Sequence, residues 1–453
     1  MIYLGKKVDL CEKLVKRDSE LLSPSTRVSY FPLAVAKAEG TKIWDLDGNE
    51  YIDFLCGAAT TNIGHRHPRV VEAIKRQCDQ FIHNTLAYTY YEKAVELAER
   101  LVEITPGNFA KKVSYGLSGS DCNDGAIKLA RSYTGRTKIV SFLKSYHGTT
   151  YGALSLSAIT LRMRRRLGPF LPEIYHVPYP DCYRCIFNLE YPDCGLYCLG
   201  FIEELFDTVI PPEEVAAMII EPIQGDAGVI VPPDDYLPKL KKLCEKHGIL
   251  FAAEEVQTGF CRTGKWFAVN HWNIEPDIMI LGKAIASGMP LSALVAKREI
   301  MESWEAPAHL FTTEGNPLSC AAAIATIDVM KEERLYERAA RLGEYAMKRF
   351  REMMDKHELI GDVRGKGLMI GVDLVKDRKT KKPAREEALK VDWRCWEKGL
   401  VLIHFGKSVL RIAPPLTISE EELEKGLQII EEAIKDVEEG KVPDEVVKRM
   451  VGW

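Results

Sequence analysis

Reactive side chains stand shortly after four apolar runs of this 453-residue sequence. The runs are KIVSF (138–142), AAMII (216–220), ILFAA (249–253) and DIMIL (277–281). The side chains that follow are an aromatic ring, an imidazole, carboxylates, an amide and a lysine: Tyr146, His147, Glu221, Glu254, Glu255, Gln257 and Lys283. A lysine at the end of a buried strand is partly withdrawn from water, so its amine is able to attack a carbonyl carbon.

The placement of these runs predicts that their reactive side chains lie together. From about residue 90 to 300, short apolar runs, with LSALVA (291–296) as the last, alternate with helical segments, which is typical of a parallel sheet buried on both faces. Ligands bind beyond the carboxyl ends of the strands in such a sheet. A lysine that bonds an aldehyde and a carboxylate that keeps a pyridine nitrogen protonated are what a protein supplies to pyridoxal phosphate. The sequence therefore predicts this cofactor, and no metal, at the site.

A phosphate needs hydrogen-bond donors, and Ser118-Gly119-Ser120 stand directly before a helix predicted over about 122–133. The free N–H groups of a helix start, with small residues for close approach, bind anions. A serine at the start of a helix is ordinary by itself. Beside the lysine and the carboxylates, these residues complete a cofactor site.

A second stretch, GFCRTGKW (259–266), has the glycine and lysine spacing of a nucleotide-binding phosphate loop. Trp266 stands where that loop needs a Ser or Thr to bind magnesium. Pro276 interrupts the helix that should follow, and Asp277 begins an apolar run rather than ending one. We therefore interpret the stretch as a turn after the strand that supplies Glu254 and Gln257.

Composition excludes several classes of protein. The net charge of −4 gives no bulk attraction for nucleic acid or an anionic membrane. The sequence has no apolar run long enough to cross a membrane, and its N-terminus has no signal-peptide pattern. We expect a cytoplasmic enzyme acting on small molecules.

Four of the twelve cysteines are clustered, in YPDCYRCIFNLEYPDCGLYC. They are Cys182, Cys185, Cys194 and Cys198, and their spacing could hold zinc, form disulfides or leave free thiols. Disulfides in a cytoplasmic protein are plausible mainly in hyperthermophiles, and a surface rich in Lys and Glu agrees with that origin. These alternatives stay open from the sequence.

The ordered motifs of the chain resemble those of the class III (ω-type) aminotransferases of pyridoxal phosphate fold type I, including their amino-acid racemase and epimerase branch. The motifs are WDLDGNEYIDF, GHRHP, SGS, KLAR, SYHG, EPIQG, EVQTGFCRTGKWFA, PDIMILGK, TEGNPLSCAAA, RGKGLMIGV and LRIAPPL. The resemblance implies an α/β fold with a large cofactor-binding domain around a mainly parallel sheet. It also implies a small α+β domain built from both chain ends. We expect the large domain over 66–315 and the small domain over 1–65 and 316–453.

The resemblance also implies roles for residues of the predicted sheet edge. Lys283 would form the Schiff base with the cofactor and move the substrate proton. Glu254 stands at the position of the carboxylate that faces the pyridine nitrogen, and Gln257 at that of the amide near the ring hydroxyl. Tyr146 and Val256 would pack on the two faces of the ring. His147 and Glu221 join this cofactor-binding set.

The resemblance also implies which residues bind the cofactor phosphate and the substrate. Gly119 and Ser120, with Ser118 before them, would bind the phosphate. Thr312 matches a phosphate-binding threonine supplied by the neighbouring subunit, which implies a homodimer or a dimer of dimers. Arg411 matches the arginine that binds the substrate α-carboxylate through two parallel hydrogen bonds. A surface salt bridge is the alternative for Arg411.

Three positions depart from the family pattern, and the first two are Glu254 and Thr149. The family nearly always has Asp where this chain has Glu254, so either the longer Glu254 side chain serves or the neighbouring Glu255 does. The 4-aminobutyrate and ornithine branches have Arg where this chain has Thr149. Without that arginine a second substrate carboxylate has no partner, and Ala58 and Ala59 leave space nearby. We expect neutral amino acids or amines as substrates.

Asp226 is the third departure, because those branches usually have Glu at this position of EPIQG-x. In the related racemases and epimerases an Asp there is thought to act on the face opposite the lysine. Inversion needs a proton removed on one face and returned on the other, whereas amino-group transfer to a 2-oxo acid needs only the lysine. Two reactions therefore stay open: amino-group transfer through Lys283, or inversion by Lys283 and Asp226. Local hydrogen bonding is the third possibility for Asp226.

Overall fold

The structure is a computed structural model that describes residues 5–452. Its helices are α1 Asp9–Leu21, α2 Cys56–Ala59, α3 Pro68–Gln80, α4 Glu92–Ile104, α5 Gly119–Thr134, α6 Tyr151–Leu156, α7 Tyr197–Thr208, α8 Tyr236–His247, α9 Arg298–Met301, α10 Pro317–Glu332, α11 Leu335–Met354, α12 Arg385–Glu397, α13 Glu420–Glu438 and α14 Glu445–Arg449. Within the described residues, none of these helices combines the length and apolarity that a membrane span requires.

The strands are β1 Val35–Glu39, β2 Lys42–Asp45, β3 Glu50–Asp53, β4 Lys111–Gly116, β5 Lys138–Phe142, β6 Ile174–Val177, β7 Val215–Ile220, β8 Leu250–Glu254, β9 Ile278–Leu281, β10 Ser292–Lys297, β11 Ile360–Lys366, β12 Met369–Asp377, β13 Lys382–Pro383, β14 Leu400–Val401, β15 Ile403–Phe405 and β16 Val409–Ile412. The chain forms two compact units, Pro68–Tyr336 and Met1–His67 with Glu337–Trp453.

The unit Pro68–Tyr336 is built on a seven-stranded sheet in the order β4-β10-β9-β8-β7-β5-β6. Every pairing from β9 through β6 is parallel, and β10 runs antiparallel to both of its neighbours. Each residue of β7, β8 and β9 is buried, since helices such as α5 cover the sheet. The carboxyl ends of these three parallel strands consequently meet at one edge.

All five apolar runs of the sequence are strands of this sheet, as predicted. The run 291–296 differs in one respect, because its strand β10 is antiparallel. Two further strands, β4 and β6, were not predicted. They lie at the two edges of the sheet, where charged or polar residues such as Lys111, Lys112 and His176 break the apolar pattern.

The other unit joins the two ends of the chain. Its first sheet has the order β1-β2-β3-β14, and β3 pairs in parallel with β14, which lies far along the sequence. Its second sheet has the order β11-β12-β16-β15 with antiparallel pairing throughout. Trp393 and Trp396 pack within a cluster of buried side chains that both chain ends supply.

The boundaries between the units lie at 67/68 and 336/337, against expected boundaries at 65/66 and 315/316. The second boundary follows α10, because this helix packs against α3 and α4 of the same unit. Most of α10 is buried, so its small and aliphatic side chains belong to the larger core.

The stretch 259–266 is a compact turn after β8 and not the start of a long helix. Gly259 donates its N–H to the Glu255 carbonyl at 3.0 Å, and the N–H of Cys261 donates to the Trp266 carbonyl at 3.1 Å. Only a short 3-10 helix, Ala268–His271, follows. A phosphate loop needs a helix directly behind it, so the interpretation as a turn is confirmed.

A buried histidine–aspartate pair ties α12 to β15. His404 Nδ1 lies 2.6 Å from Asp392 Oδ2, and the His404 backbone N–H donates to the same oxygen at 3.1 Å. Both side chains are completely buried. Burial raises the pKa of Asp392, and its interactions with His404 oppose that change. A buried pair of this kind is costly to break because one polar partner remains without compensation.

We therefore expect Asp392→Ala to lower the free energy of unfolding of its unit by about 3–5 kcal/mol. The measurement is chemical denaturation followed by tryptophan fluorescence, since Trp393 and Trp396 lie beside the pair in sequence. The control is Glu39→Gln, which removes an exposed ion pair with Lys37 in the same unit and should leave the midpoint unchanged. Equal midpoints for both variants would contradict the role given to the buried pair.

Candidate active site

The site is built at the edge where β7, β8 and β9 end. Glu221 follows β7, Glu254 is the last residue of β8, and Lys283 stands two residues beyond β9. Parallel pairing in the order β9-β8-β7 places these residues side by side, although they are far apart in the sequence. The edge carries the side chains that the sequence predicted there.

Lys283 has a strained backbone. Its φ of +45° lies in the left-handed region that side chains other than glycine rarely adopt. Such strain costs about 1–3 kcal/mol and is concentrated at functional sites. The Lys283 amine forms no hydrogen bond or ion pair with any residue in the part of the chain described here. A half-buried amine that no neighbouring carboxylate neutralises is available to bond a ligand.

The predicted phosphate segment forms the N-terminus of α5. Ser118 caps the helix, since its hydroxyl accepts the Asp121 N–H and the Asp121 carboxylate accepts the Ser118 N–H. The N–H groups of Gly119 and Ser120 find no acceptor within residues 5–452. Two free donors at the positive end of a long helix suit a phosphate group. Ser118 supports this phosphate segment by capping the helix.

Glycines let three segments approach this helix start. A Cβ added to Gly148, whose φ is +130°, would lie 2.0 Å from Ser120 Oγ. A Cβ on Gly119 would lie 2.9 Å from the Val256 side chain, and one on Gly282 would lie 3.5 Å from the Gly119 nitrogen. The ends of β5, β8 and β9 therefore converge on the start of α5. Val256 lies close to Gly119 and Gly282, and its packing on the cofactor ring stays a prediction.

Glu254 has two polar partners inside the protein. Its Oε1 accepts the Val256 N–H at 2.8 Å, and its Oε2 lies 3.2 Å from His147 Nδ1. Both side chains are buried. The outer nitrogen of the imidazole, Nε2, has no hydrogen-bond partner among the described residues. Each carboxylate oxygen keeps a lone pair, so Glu254 can still accept from a protonated ring nitrogen.

Glu255 faces away from this group. Its carboxylate accepts the N–H groups of Ala268 at 2.9 Å and Val269 at 2.8 Å, together with the Thr258 hydroxyl. Burial raises the pKa of Glu255 to about 7, and these donors oppose the increase. Successive residues of a strand point to opposite faces. The Glu255 carboxylate therefore stabilises the turn formed by residues 255–269. This supports Glu254, rather than Glu255, as the carboxylate that would face the cofactor nitrogen.

Glu221 braces two neighbouring segments. It accepts the backbone N–H of Tyr146 at 2.9 Å and that of Gly225 at 3.0 Å. Burial raises the pKa of Glu221 well above its usual range, and the nearby charges of Glu254 and Asp226 add to the effect. Burial likewise raises the pKa of the Tyr146 hydroxyl to about 12, with smaller contributions from the same carboxylates. Tyr146 thus lies among the three acidic side chains.

Asp226 and Gln257 form a buried hydrogen bond. Gln257 Nε2 donates to Asp226 Oδ1 at 3.0 Å, and both side chains are buried. A Cβ on Gly225 would lie 2.4 Å from the same amide nitrogen, so only glycine permits this approach. Asp226 is therefore anchored by the end of β8 as well as by its own turn.

Thr312 and Thr149 are exposed in the single chain. Thr312 forms no hydrogen bond within the described residues, which suits a side chain that another subunit would use. Thr149 donates its backbone N–H to Ser120 Oγ at 3.1 Å. Its side chain stands beside the phosphate segment without a positive charge.

Two predicted substrate residues lie in the other unit. Arg411 is buried on β16, with its guanidinium 4.6 Å from the centre of the Phe405 ring. The alternative of a surface salt bridge is therefore wrong. Ala58 is exposed in α2, a left-handed turn whose residues Cys56–Ala59 all have positive φ. A turn of this kind is costly for residues other than glycine, which is typical of functional positions.

Sequence reasoning missed two positioning residues. Asn123 donates from Nδ2 to the carbonyl oxygens of Gly119 and His147, both at 2.9 Å. Tyr179 donates its hydroxyl to the carbonyls of Glu221 at 3.2 Å and Pro222 at 3.0 Å. The sequence gives a weak indication for Asn123, because it is a polar residue one turn into a helix face that is mostly apolar. Tyr179 carries none, because its partner is backbone.

The donor set fits pyridoxal phosphate. Free N–H groups at Gly119 and Ser120 suit the phosphate, the amine of Lys283 suits the aldehyde, and buried Glu254 suits a ring nitrogen that becomes positive. These groups lie on two neighbouring strand ends, those of β8 and β9, and on one helix start. The cofactor predicted from the sequence is consistent with this arrangement.

Comparison with known proteins supports the same conclusion. The class-III aminotransferase model matches residues 24–434. A leucine/methionine racemase of Thermococcus litoralis is 49% identical over 442 residues, covering 98% of this chain and 99% of that protein. An isoleucine 2-epimerase of Lentilactobacillus buchneri is 46% identical over 448 residues, covering 99% of this chain and 100% of that protein.

Among solved structures, a thermostable (S)-enantioselective omega-transaminase of Thermomicrobium roseum superposes with a TM-score of 0.87. It is 32% identical and covers 94% of this chain and 98% of its own. The residues matched by the family model, 24–434, include the sheet edge and the start of α5.

We expect Gly148→Ala to weaken cofactor binding at least about tenfold, which corresponds to about 1.4 kcal/mol. The new Cβ would lie 2.7 Å from Ser120 Cα, so the phosphate segment must move. The control is Gly135→Ala, which also has positive φ and ends the same helix but has no atom within 4 Å of the new Cβ. Titration of the cofactor by fluorescence measures both. Equal affinity in the two variants would refute the close approach.

We expect Glu254→Gln to lower the turnover rate and Glu255→Gln to lower the stability of the fold. Glu254→Gln removes the charge beside the cofactor, and we expect turnover to fall about 10²-fold or more. Glu255→Gln turns an amide NH₂ toward backbone donors, which should cost about 1–3 kcal/mol of stability and change turnover little. Steady-state rates and thermal melts measure the pair of effects. The reverse pattern would show that Glu255 serves the cofactor.

Proposed function

The chain belongs to the class-III aminotransferase family of pyridoxal phosphate enzymes, and we propose that within this family it inverts neutral α-amino acids as a racemase or epimerase. The observation that carries the proposal is the buried carboxylate of Asp226, which is held by Gln257 on the turn after β7, whereas Lys283 follows β9 on the other side of β8 in the sheet order. The similar racemase and epimerase cover nearly the whole chain and support the same reaction.

When bound, pyridoxal phosphate withdraws electrons from the substrate Cα and so weakens its C–H bond. The protein residues hold the groups around that bond. Gly119 and Ser120 bind the phosphate through their N–H groups, and Glu254 with His147 favours positive charge at the ring nitrogen. Lys283 supplies the amine.

Inversion needs acid–base groups on two sides of the substrate Cα. Lys283 reaches the site from the end of β9, and Asp226 reaches it from the turn after β7. Strand β8, which ends at Glu254 shortly before Gln257, lies between these two strands in the sheet. This order supports a placement of Lys283 and Asp226 on two sides of the bound substrate. Lys283 Nζ takes the α-proton from one side, and the Asp226 carboxyl group returns a proton from the other. The reverse direction uses the same groups in exchanged roles.

Neutral amino acids are the substrate class that the residues favour. Thr149 brings no positive charge to the phosphate side of the site, so a second substrate carboxylate would have no partner there. The two similar proteins are named for leucine, methionine and isoleucine, which have uncharged side chains. We propose Arg411 for the α-carboxylate and Ala58 as a residue that leaves room for the side chain.

Amino-group transfer to a 2-oxo acid is the second candidate. The family model and the similar omega-transaminase favour it, and Lys283 suffices as its proton carrier. Asp226 would then serve to orient Gln257. The two candidates differ in whether a 2-oxo acid is required.

We propose that the active form is at least a homodimer. Thr312 is exposed on a loop next to α10, and Tyr88 and Tyr90 are 83% and 99% exposed in the single chain. Large exposed aromatic side chains are typical of subunit interfaces. Thr312 would complete the phosphate site of the neighbouring subunit.

Chiral chromatography tests the proposed reaction. L-leucine incubated with the holoenzyme and no 2-oxo acid should yield D-leucine until both enantiomers are equal. Added 2-oxoglutarate should not be needed. Product that appears only with 2-oxoglutarate, as glutamate and a 2-oxo acid, would establish amino-group transfer instead.

Asp226→Asn should slow inversion about 10²–10⁴-fold, because the amide keeps the hydrogen bond from Gln257 but cannot carry a proton. The variant should still bind cofactor and exchange the α-hydrogen of one enantiomer with solvent. Asp234→Asn, on the exposed surface beyond the same turn, is the control and should retain full activity. Unchanged inversion in Asp226→Asn would remove Asp226 from the mechanism.

A further inference from the structure

Residues 178–196 join β6 to α7 without any helix or strand. From Asp181 to Gly195 no residue is buried. Irregular connections of this length are uncommon in compact domains, and a segment that buries so little has small resistance to local opening.

The four clustered cysteines lie in and next to this segment. Cys182, Cys185, Cys194 and Cys198 line one small cavity together with Tyr179, Phe187 and Leu196. All four are free thiols in this structure. Within the described residues, no three cysteine, histidine or acidic side chains are arranged to hold a metal ion.

We propose that these four cysteines form an oxidisable thiol cluster that cross-links residues 182–198 by intrachain disulfides, with at least one bond between the Cys182/Cys185 pair and the Cys194/Cys198 pair. The shared cavity brings thiols from both ends of the loop together. Such a bond restricts the unfolded and locally opened states of the loop. It supplies the constraint that the exposed side chains lack.

The chemistry is thiol–disulfide exchange with a small-molecule disulfide such as oxidised glutathione. One cysteine thiolate attacks the oxidant, forming a mixed disulfide and releasing one reduced glutathione. A second cysteine thiolate then attacks the mixed disulfide, which forms the protein S–S bond and releases the second reduced glutathione. Two protein thiols are oxidised for each oxidant molecule that is reduced.

The environment of the cluster favours a stable bond. Partial desolvation within the loop raises the pKa of Cys182 to about 11 and that of the half-buried Cys198 to about 12, and the other cluster thiols add to both increases. Cys182 and Cys198 therefore gain no stabilisation as thiolates at neutral pH. A dithiol without that stabilisation is a stronger reductant, so its disulfide resists reduction once formed.

The segment that precedes the cross-linked residues 182–198 supports the active site. Tyr179 donates its hydroxyl to the carbonyls of Glu221 and Pro222, in the stretch that leads to Asp226. Asp181 forms an ion pair with Lys144 at 2.6 Å, near the end of β5. Fixing the segment therefore also steadies the start of this turn.

The test compares reduced and oxidised holoenzyme at pH 8.5, with oxidised glutathione as the oxidant. Unreacted thiols are alkylated with iodoacetamide after unfolding, and linked peptides are identified by mass spectrometry. We expect peptides joining the 182/185 and 194/198 pairs within one chain, and a thermal midpoint a few degrees higher after oxidation. Cys78, exposed and far from the cluster in sequence, should enter no linked peptide.

Two variants complete the experiment. A double variant with Cys182→Ser and Cys185→Ser should lose both the linked peptides and the rise in midpoint, whereas Cys78→Ser should keep both. Alkylation of all four cluster thiols after oxidation would overturn the proposal. So would links only between chains, or one zinc ion per reduced chain that protects the thiols from alkylation.

Discussion

The parallel register of β7, β8 and β9 is the constraint on which the rest of the site depends. Each of these strands is buried along its whole length, so their backbone groups can be satisfied only by pairing with neighbouring strands of the sheet. The polar residues that follow them must then emerge together at one edge. Glu221, Glu254 and Lys283 become neighbours for this reason, although the intervening chain forms helices on the sheet faces.

Concentrating carboxylates at a buried edge is electrostatically costly, and the structure meets the cost with directed N–H donors. Glu254 has the Val256 N–H and His147, Glu255 has two N–H groups and a hydroxyl, and Glu221 has two N–H groups. A positively charged ring nitrogen would relieve the remaining repulsion beside Glu254. The strained φ of Lys283 is a further cost at the same place. The edge is therefore arranged for a ligand rather than for stability alone.

Much of the architecture could be predicted from the sequence. The five apolar runs are strands, and the reactive residues after them lie at one edge, because burial on both faces leaves a clear signal. The edge strands β4 and β6 were missed because exposure lets charged residues interrupt that signal. The antiparallel direction of β10 was not recognisable, because an apolar run carries no information on direction.

The partners within the site were less accessible to prediction. The sequence identifies Glu254 and His147 as candidate site residues but does not predict the contact between them. That contact depends on how β5 and β8 are spaced in the sheet. The same holds for the bond between Asp226 and Gln257, which needs the missing Cβ of Gly225. The separate role of Glu255 follows from strand alternation once the end of β8 is known. Backbone-directed contacts, such as those of Asn123 and Tyr179, leave almost no trace in residue type.

The central claim is that two groups on opposite sides of β8 exchange protons with one substrate carbon. Isotope labelling in D₂O, starting from pure L-leucine and no 2-oxo acid, measures this most directly. Early in the reaction, the D-leucine formed should carry deuterium at Cα, while the remaining L-leucine should stay largely unlabelled. Equal early labelling of both enantiomers would indicate a single proton carrier, and labelled L-leucine without any D-leucine would contradict inversion altogether.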